Sequence, residues 1–565
     1  MELSIYKELS RERKQLQKEG RLPAWLTAQA WQLLKSKYMT ETEPDLLSTY
    51  KRISRAAARH TPDPSHWEER FFDVMWRGWL ALSTPVLANM GTTRGCPVSC
   101  SGSYVGDSVY DFYENRLESA ILSQKGFGTS GYLGDIRPRG TPISSGGKAD
   151  GILPVLKGHV QMARDISQGS TRRGSWAGYV PIDHNDFWEV VNYVSNNPDD
   201  FNIGWNISDA FINRLESGDA DAIARYQRSL KVKMVTGKGY YFFPDKVNDL
   251  NPITYKSLGL NVSASNLCTE ITLFSDPSHT FTCVLSSMNL ARYDEWKDTD
   301  AVFIATVFLD CVAQEFIELG RSIRGLEKAV RFTEKSRALG LGTLGFHTYL
   351  QSKGIPFESL DAHWMNIGIY KNIREKANEA TKWMAEVLGE PEWCRGFGVR
   401  NTHLLAIAPN LSSALICGSV SQGIEPVYEN AYVQGTPAGE MDRINPVLVG
   451  LMKERNVFDY PIIRDIIDHN GSVQHVDWLS DHEKLVFKTA FEIDQFAIIR
   501  LAAARQQFID QAQSINLFFG ADEKEEVISA VHQEAFKNRN IKSLYYIRSK
   551  AGVTGSTGEC VACEG

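Results

Sequence analysis

The spacing of apolar and polar positions changes several times along the chain, and each change predicts a different element. In the first sixty residues apolar side chains recur at helical spacing. "LSIYKELSRERKQLQKEG" predicts an amphipathic helix stopped at Gly20. "LPAWLTAQAWQLLKSKYM" predicts a second one opening near Pro23, because the first helical turn does not need proline's missing N–H. From about residue 76 to 545, Gly-rich loops alternate with short β-branched runs ("LKVKMV", "TFTCVL") and with long helices such as "DAHWMNIGIYKNIREKANEATKWMAEVLG". That mixture predicts an α/β fold with a parallel or mixed sheet. No internal repeat is visible. The terminal "SKAGVTGSTGECVACEG" has no face to bury and predicts a mobile tail.

Length and charge narrow the function. A chain of 565 residues needs several domains or one large barrel. Its 43% apolar and 23% charged residues are ordinary for a globular enzyme, and a net charge of −7 provides no basic field for DNA or RNA. The most apolar window, "AVFIATVFLDCVAQEFI", is interrupted by Asp310 and Glu315, so no membrane span is expected. The N-terminus "MELSIYKELSRERKQ" lacks the apolar stretch of a secretory signal, and a cytoplasmic location is expected. Nine cysteines in such a chain argue against a disulfide framework. Cys96 and Cys100 lie close together, Cys268 and Cys283 flank one segment, and Cys560 and Cys563 close the chain. Cys311, Cys394 and Cys417 sit in apolar runs that suit buried small hydrophobes.

Four stretches carry candidate chemistry. In "SASNLCTEI" (263–271), Asn266, Cys268 and Glu270 alternate, so an extended backbone would turn an amide, a thiol and a carboxylate to one face. Burying all three without a task costs desolvation free energy at each. Cys560-Val-Ala-Cys563 has zinc-ligand spacing but no second pair near it. A dithiol on a tether suits thiol–disulfide exchange better, and no metal is expected on the chain. "GLGTLG" (340–345) fits the dinucleotide fingerprint, yet the charged "RFTEKSRAL" precedes it where a buried strand is required, so close backbone packing is the better reading. "APNLSSALICGS" (408–419) sets cap-type residues before an apolar run, an arrangement that presents N–H groups to an anion or simply caps a helix. A further Gly/Ser loop, "SQGSTRRGSWAG" (167–178), holds Arg172 and Arg173 and suits closure over a nucleotide or plain solvation.

Taken together these stretches resemble one family. "NLCTE", followed fifteen residues after its cysteine by "CVLSSMNL", resembles the catalytic large subunit of ribonucleotide reductase. So do "LSTPVLANMGT" (82–92), "PVSCSGSYVGDSV" (97–109), "ALGLGTLG", "SQGIEP" (421–426), "SLYY" (543–546) and the cysteine-bearing tail, all in the family's order. The resemblance implies an α/β fold: a helical segment over 1–75, a ten-stranded barrel with an internal finger loop over 76–545, and a redox tail over 546–565. It implies that Cys268 carries the thiyl radical, that Glu270 is the general base for the ribose 3′-hydroxyl, and that Asn266 holds the ribose oxygens. Cys100 and Cys283 would supply two electrons and end as a disulfide. Cys560 and Cys563 would reduce that disulfide and be reduced in turn by thioredoxin or glutaredoxin; Cys96 has no matched role.

Further residues follow from the same resemblance. Thr84, Ser99, Asn410, Ser412 and Ser413 match substrate-binding positions for a ribonucleoside diphosphate, although Leu411 and Ala414 stand where the family often has polar residues. Asp107, Arg137 and Arg172 match the site for a dNTP or ATP effector, the chain's expected nucleoside triphosphate ligand. The barrel motifs begin by residue 82, so no N-terminal ATP-binding regulatory domain, and no overall on/off control by dATP, is expected. The compact size suits a phage gene and hence a host cytoplasm. Tyr545 and Tyr546 match the stacked pair that carries a radical inward from a small subunit holding a diiron or dimanganese centre, the arrangement of class I. A homodimer is expected. Three alternatives remain open: an adenosylcobalamin-dependent (class II) reductase that needs no partner, a nucleotide-binding regulatory protein without turnover, and a free-standing thiol oxidoreductase. A glycyl-radical enzyme is disfavoured because the C-terminal segment lacks that class's loop.

Overall fold

Helices Glu2–Lys18, Ala28–Leu33, Leu46–Ala58 and Pro64–Trp76 precede the first strand in the computed structural model, which describes residues 2–144, 146–168, 172–436 and 439–549. Thr27, Asp45 and Asp63 each accept the backbone N–H of the residue three positions on, which is why three of these helices start where they do. The second helix therefore opens after Thr27 and not at Pro23, which lies in the preceding turn and accepts the Leu26 N–H. A second expectation also fails. "LKVKMV" is no strand but the end of helix Ala220–Thr236, capped by Asp219 and stopped at Gly237 (φ 73°). Tyr226, Leu230 and Lys233 repeat at helical spacing and are buried along one face, and that packing outweighs the local preference of two valines.

The strands close into a ring. Cys100–Tyr104, Gly128–Tyr132, Trp176–Pro181, Asn202–Asn206 and Tyr240–Phe242 run parallel, each paired with the next. Intervening helices such as Val109–Gln124 and Ile152–Asp165 return the chain over the outside, as parallel pairing demands. A second parallel set starts with Phe281–Asn289 and Leu339–Leu344. It continues through less regular staves at 403–407 and 511–517, joined by Leu341 N–H to Leu404 O (2.9 Å) and Ile407 N–H to Ala512 O (3.1 Å). Its last stave is 543–547, where Tyr545 N–H donates to Ile515 O at 2.8 Å. The two five-stave sets meet antiparallel at both seams, Cys100–Gly102 against Phe281–Cys283 and Ser543–Leu544 against Tyr241–Phe242. This is the ten-stranded barrel that the sequence implied.

Period-two alternation gives the wall two faces. Ala177, Tyr179, Tyr240, Phe242 and Cys283 pack inside the ring, whereas Trp176, Val180, Trp205 and Tyr241 pack outward against the helices. The segment 260–275 threads the interior, with Leu267, Cys268, Ile271 and Leu273 in the inner cluster. "GLGTLG" is itself a stave. A Cβ on Gly342 would stand 2.5 Å from Ala406 O, and one on Gly340 would strike Leu285 and lie 2.9 Å from Cys283 Sγ. Its glycines therefore serve close stave-to-stave approach, as read from the sequence. Helix Ala301–Gly320 is buried in a helical layer, and among the described residues no helix is long and apolar enough to cross a membrane.

Candidate active site

Residues 263–271 are irregular loop, not strand. A turn at 267–268 and a left-handed Thr269 (φ 70°) replace the alternation that the sequence suggested. A β-branched residue rarely adopts that conformation, and the backbone strain belongs to the loop that carries the thiol. The three groups still converge, because the turn brings them together and not because they alternate. Ser514 ties the loop: its Oγ lies 2.6 Å from Cys268 O and 3.1 Å from Glu270 Oε2. Tyr179 OH donates to Asn266 O (2.6 Å) and Ser130 Oγ to Ser265 O (2.7 Å), fixing the loop to the inner wall.

Asn266 Nδ2 donates to Cys100 Sγ at 3.2 Å, and Asn266 also bonds the Glu270 side chain. Glu270 is 1% exposed with no cation beside it among the described residues, so burial raises its carboxyl to about 7 against the opposing pull of its hydrogen bonds. Such a group exchanges a proton at neutral pH. Cys100 and Cys283 are register partners across the antiparallel seam. Directly opposed side chains point to one face at the separation a disulfide spans. Burial holds the Cys283 thiol far above its ordinary range, and Gln511 Nε2 donates to its sulfur at 3.5 Å.

On the other side of Cys268 stand the tyrosines. Tyr545 OH donates to Cys268 Sγ at 3.4 Å, and the Tyr545 and Tyr546 rings are 4.0 Å apart between centroids. Tyr240 completes the group, with centroids 4.9 Å from Tyr545 and 5.5 Å from Tyr546 and its hydroxyl 3.3 Å from that of Tyr546. Lys233 Nζ donates to Tyr545 O.

The nucleotide positions gather less completely. Ser99 Oγ donates to Ser83 Oγ (3.2 Å), Thr84 Oγ1 lies 3.2 Å from Tyr38 OH, and Ser413 Oγ donates to Leu82 O (2.9 Å), so three of them meet around residues 82–84. Asn410 is left-handed (φ 62°) and ties to Thr343 O at the mouth of the adjacent stave; Ser412 is half-buried one residue into the short helix Leu411–Ile416. Arg137 forms a partly exposed ion pair with Asp107 at 2.6 Å, well away from Cys268 in sequence. The Arg172 backbone pairs with Gln168, and its side chain lies outside the described residues, as do Cys560 and Cys563. Cys96, Cys311 and Cys394 are buried and Cys417 half-buried, none in the loop; burial puts the Cys96 thiol at about 12.

Tyr179, Ser514, Gln511 and Tyr240 were not singled out from the sequence. "DQAQSIN" (510–516) offered one signal, since so polar a run is unexpected inside a core. "GYYF" offered another, as a second aromatic pair.

Comparison with known proteins gives the same assignment. Residues 98–224, 221–397 and 391–547 match the family model "Ribonucleotide reductase, barrel domain", and residues 24–95 match "Ribonucleotide reductase, all-alpha domain". A large-subunit relative in Frog virus 3 (isolate Goorha) is 36% identical over 579 residues, which cover 96% of this chain and 99% of the relative. The ribonucleoside-diphosphate reductase large subunit of Invertebrate iridescent virus 3 is 30% identical over 626 residues, covering 94% of this chain and 97% of its own. Among solved structures, the Actinobacillus ureae class Id ribonucleotide reductase alpha subunit superposes with a TM-score of 0.87 at 37% identity, covering 94% of this chain and 98% of that one. With its closed barrel, threaded thiol loop and opposed cysteine pair, this chain belongs to the ribonucleotide reductase large-subunit family.

Proposed function

We propose that this chain reduces ribonucleoside diphosphates to 2′-deoxyribonucleoside diphosphates, with the radical held on Cys268. The observation that carries the reading is the line Tyr546–Tyr545–Cys268, rings 4.0 Å apart and hydroxyl 3.4 Å from sulfur, ending beside an opposed pair of thiols. A metal-bearing small subunit supplies the oxidising equivalent. Within this chain, the Cys268 thiyl takes the 3′-hydrogen atom while Glu270 takes the 3′-hydroxyl proton. The 2′-hydroxyl leaves as water. Cys100 and Cys283 together give two electrons and two protons, one hydrogen to C2′ and one to the departing water, and become a disulfide; Glu270 returns its proton to the 3′-oxygen, and Cys268 returns its hydrogen atom to C3′, regenerating the thiyl. Asn266, bonded to both Cys100 and Glu270, positions the ribose between them. The tail dithiol Cys560/Cys563 then reduces the disulfide by exchange and is itself reduced by thioredoxin or glutaredoxin.

Thr84, Ser99, Asn410, Ser412 and Ser413 take the substrate's ribose and phosphates, and Asp107, Arg137 and Arg172 take a nucleoside triphosphate effector. Helix Val109–Gln124 presents Val109, Tyr110, Tyr113 and Leu117, each at least 62% exposed, along one side. That apolar strip beside Asp107 supports pairing of two copies. The adenosylcobalamin alternative leaves the contact of Tyr545 with Cys268 without a purpose.

The test is reduction of CDP by the purified full chain with dithiothreitol and a purine effector. Turnover is expected with a class I small subunit and not with adenosylcobalamin alone, and Cys268→Ser should abolish it while nucleotide binding persists. Product with cobalamin alone would overturn the class; turnover by Cys268→Ser would overturn the chemistry.

A further inference from the structure

Behind Tyr546, on the side away from Cys268, lies a buried carboxylate that the reaction scheme does not use. Glu425, in "SQGIEP", is 4% exposed. Tyr428 OH donates to one of its oxygens and Asn516 Nδ2 to the other at 2.6 Å. Asn516 does a second thing: its Oδ1 accepts the backbone N–H of Tyr546 at 3.0 Å. Arg548 sits with its guanidinium carbon 4.7 Å from the centroid of the Tyr546 ring, and its charge acts on Glu425. Glu425, Tyr428, Tyr432 and Arg443 also line an open cavity of about 70 Å³, which gives the buried carboxyl a route for proton exchange.

We propose that Glu425 is a positioning residue for the outer relay tyrosine: through Asn516 it fixes the backbone of Tyr546, and its negative charge offsets Arg548 so that Tyr546 is oxidised more readily. This rests on the reading of Tyr546 as a relay residue. The physical argument is one of sign. Oxidation of the phenol to the neutral phenoxyl gives one electron to the small subunit's oxidant and, in net balance, one proton to solvent. A cation over the ring face withdraws electron density and opposes the loss of that electron. In a low-dielectric interior a carboxylate close to the cation cancels most of its field at the ring. Burial pushes Glu425 up to about 7, against the opposing pull of Tyr428, Arg548 and Asn516, so the offset is present above that pH and lost below it. The other ionisable groups around it are Glu429 from its own segment, Arg443 and Tyr432 across the cavity, and His347, which bonds Val427 N and is kept neutral by burial.

The experiment places 3-nitrotyrosine at position 546 of the full chain and reads its phenol pKa by absorbance, without any small subunit. Glu425→Gln, which keeps the shape and removes the charge, takes one negative charge from the surroundings of Arg548 and Tyr546 and should lower that pKa by about one unit. In the unlabelled chain with its small subunit, the same change should cut turnover roughly tenfold, equivalent to about 1.4 kcal/mol, with CDP affinity unchanged. Below about pH 7 the Glu425→Gln loss should shrink, because the wild-type carboxyl is then neutral as well. Arg548→Met should raise the nitrotyrosine pKa, and in that background Glu425→Gln should lower it by less, because Glu425 without Arg548 is less ionised. Should Glu425→Gln fail to fold, Arg548→Met alone decides: an unmoved nitrotyrosine pKa overturns the proposal. So does an unmoved pKa in a folded Glu425→Gln chain that has merely lost thermal stability, the mark of a structural carboxylate. Full turnover by Tyr546→Phe would instead overturn the relay reading itself. An inactive Tyr546→Phe beside an unaffected Glu425→Gln would sink this inference alone.

Discussion

Asp310 and Glu270 are buried to the same degree, 2% and 1% exposed, yet they sit on opposite sides of the barrel wall and behave in opposite ways. Asp310 lies in the helical layer. Arg337 reaches both its oxygens at 2.8 and 2.9 Å, Arg400 adds a bond at 2.9 Å, and Asn401 another at 2.9 Å. Burial alone would raise its pKa, but the two guanidinium charges outweigh burial and hold the carboxyl well below its usual range. Glu270 lies in the finger loop with hydrogen bonds and no cation, and burial wins. A compensated carboxylate is a fastener that stays ionised. One that has no counter-charge among the described residues inside the ring is suited to carry a proton, and its environment costs stability that the surrounding fold must supply.

Substitution separates the two roles. Glu270→Gln should lower CDP turnover by about 10²–10⁴-fold without lowering stability in urea, because a proton acceptor is lost while a buried carboxyl without a counter-charge is replaced by a neutral isostere. Asp310→Asn should do the reverse: it leaves two guanidinium groups buried without their charge partner and should cost about 3–5 kcal/mol in urea unfolding, with turnover per folded molecule close to wild type. An Asp310→Asn chain of full stability would show that the ion cluster fastens nothing, and an active Glu270→Gln chain would move the base elsewhere.

The next effect is smaller and lies in pH. The proposed base Glu270 must be ionised to accept a proton, so turnover should fall as pH drops through about 7. The stability contribution runs the other way. A carboxyl whose folded pKa is raised stabilises the fold below its ordinary value, and that contribution is lost as pH rises through about 7. Asp310, with a depressed folded pKa, contributes stability above the ordinary carboxylate range and loses it only in strong acid, so it adds no slope between pH 6 and 8. Glu270 by itself therefore contributes a fall in unfolding free energy as pH rises toward about 7, and Glu270→Gln should remove that part of the slope; an unchanged slope would show that Glu270 does not titrate there.

Much of this contrast was legible in the sequence. "NLCTE", "PVSCSGSYVGDSV" and "CVLSSMNL" pointed, by their resemblance to one family, to the loop and to the pair Cys100 and Cys283 that the fold brings into register. Asp310 was read only as a break in an apolar run, since its partners Arg337 and Arg400 lie far along the chain and only folding brings them together. The same limit hid Ser514, Gln511 and Tyr240. "LKVKMV" misled because β-branched residues also pack well on a buried helix face, and the decisive information, the row Tyr226–Leu230–Lys233, lay partly upstream. The finger's alternation was the subtler error: it grouped residues that the loop does bring together, but for a reason that the left-handed Thr269 removes.

The smallest expected effect concerns how the inner ring holds its tyrosines. Tyr240 OH lies 3.1 Å from Asn202 Oδ1 and 3.3 Å from Tyr546 OH, and one hydroxyl proton cannot serve both. An amide oxygen only accepts, so when Tyr240 donates to Asn202 the Tyr546 hydroxyl becomes the donor toward Tyr240. Tyr240→Phe keeps the ring contacts and removes that acceptor. Unfolding free energy should fall by about 1–3 kcal/mol for the lost buried hydrogen bonds. Turnover should fall less than for Glu270→Gln, since Tyr545 keeps its own contact with Cys268. If Tyr240→Phe instead abolished turnover at unchanged stability, the relay would need three tyrosines, and the inner wall would contribute to the chemistry as directly as the finger does.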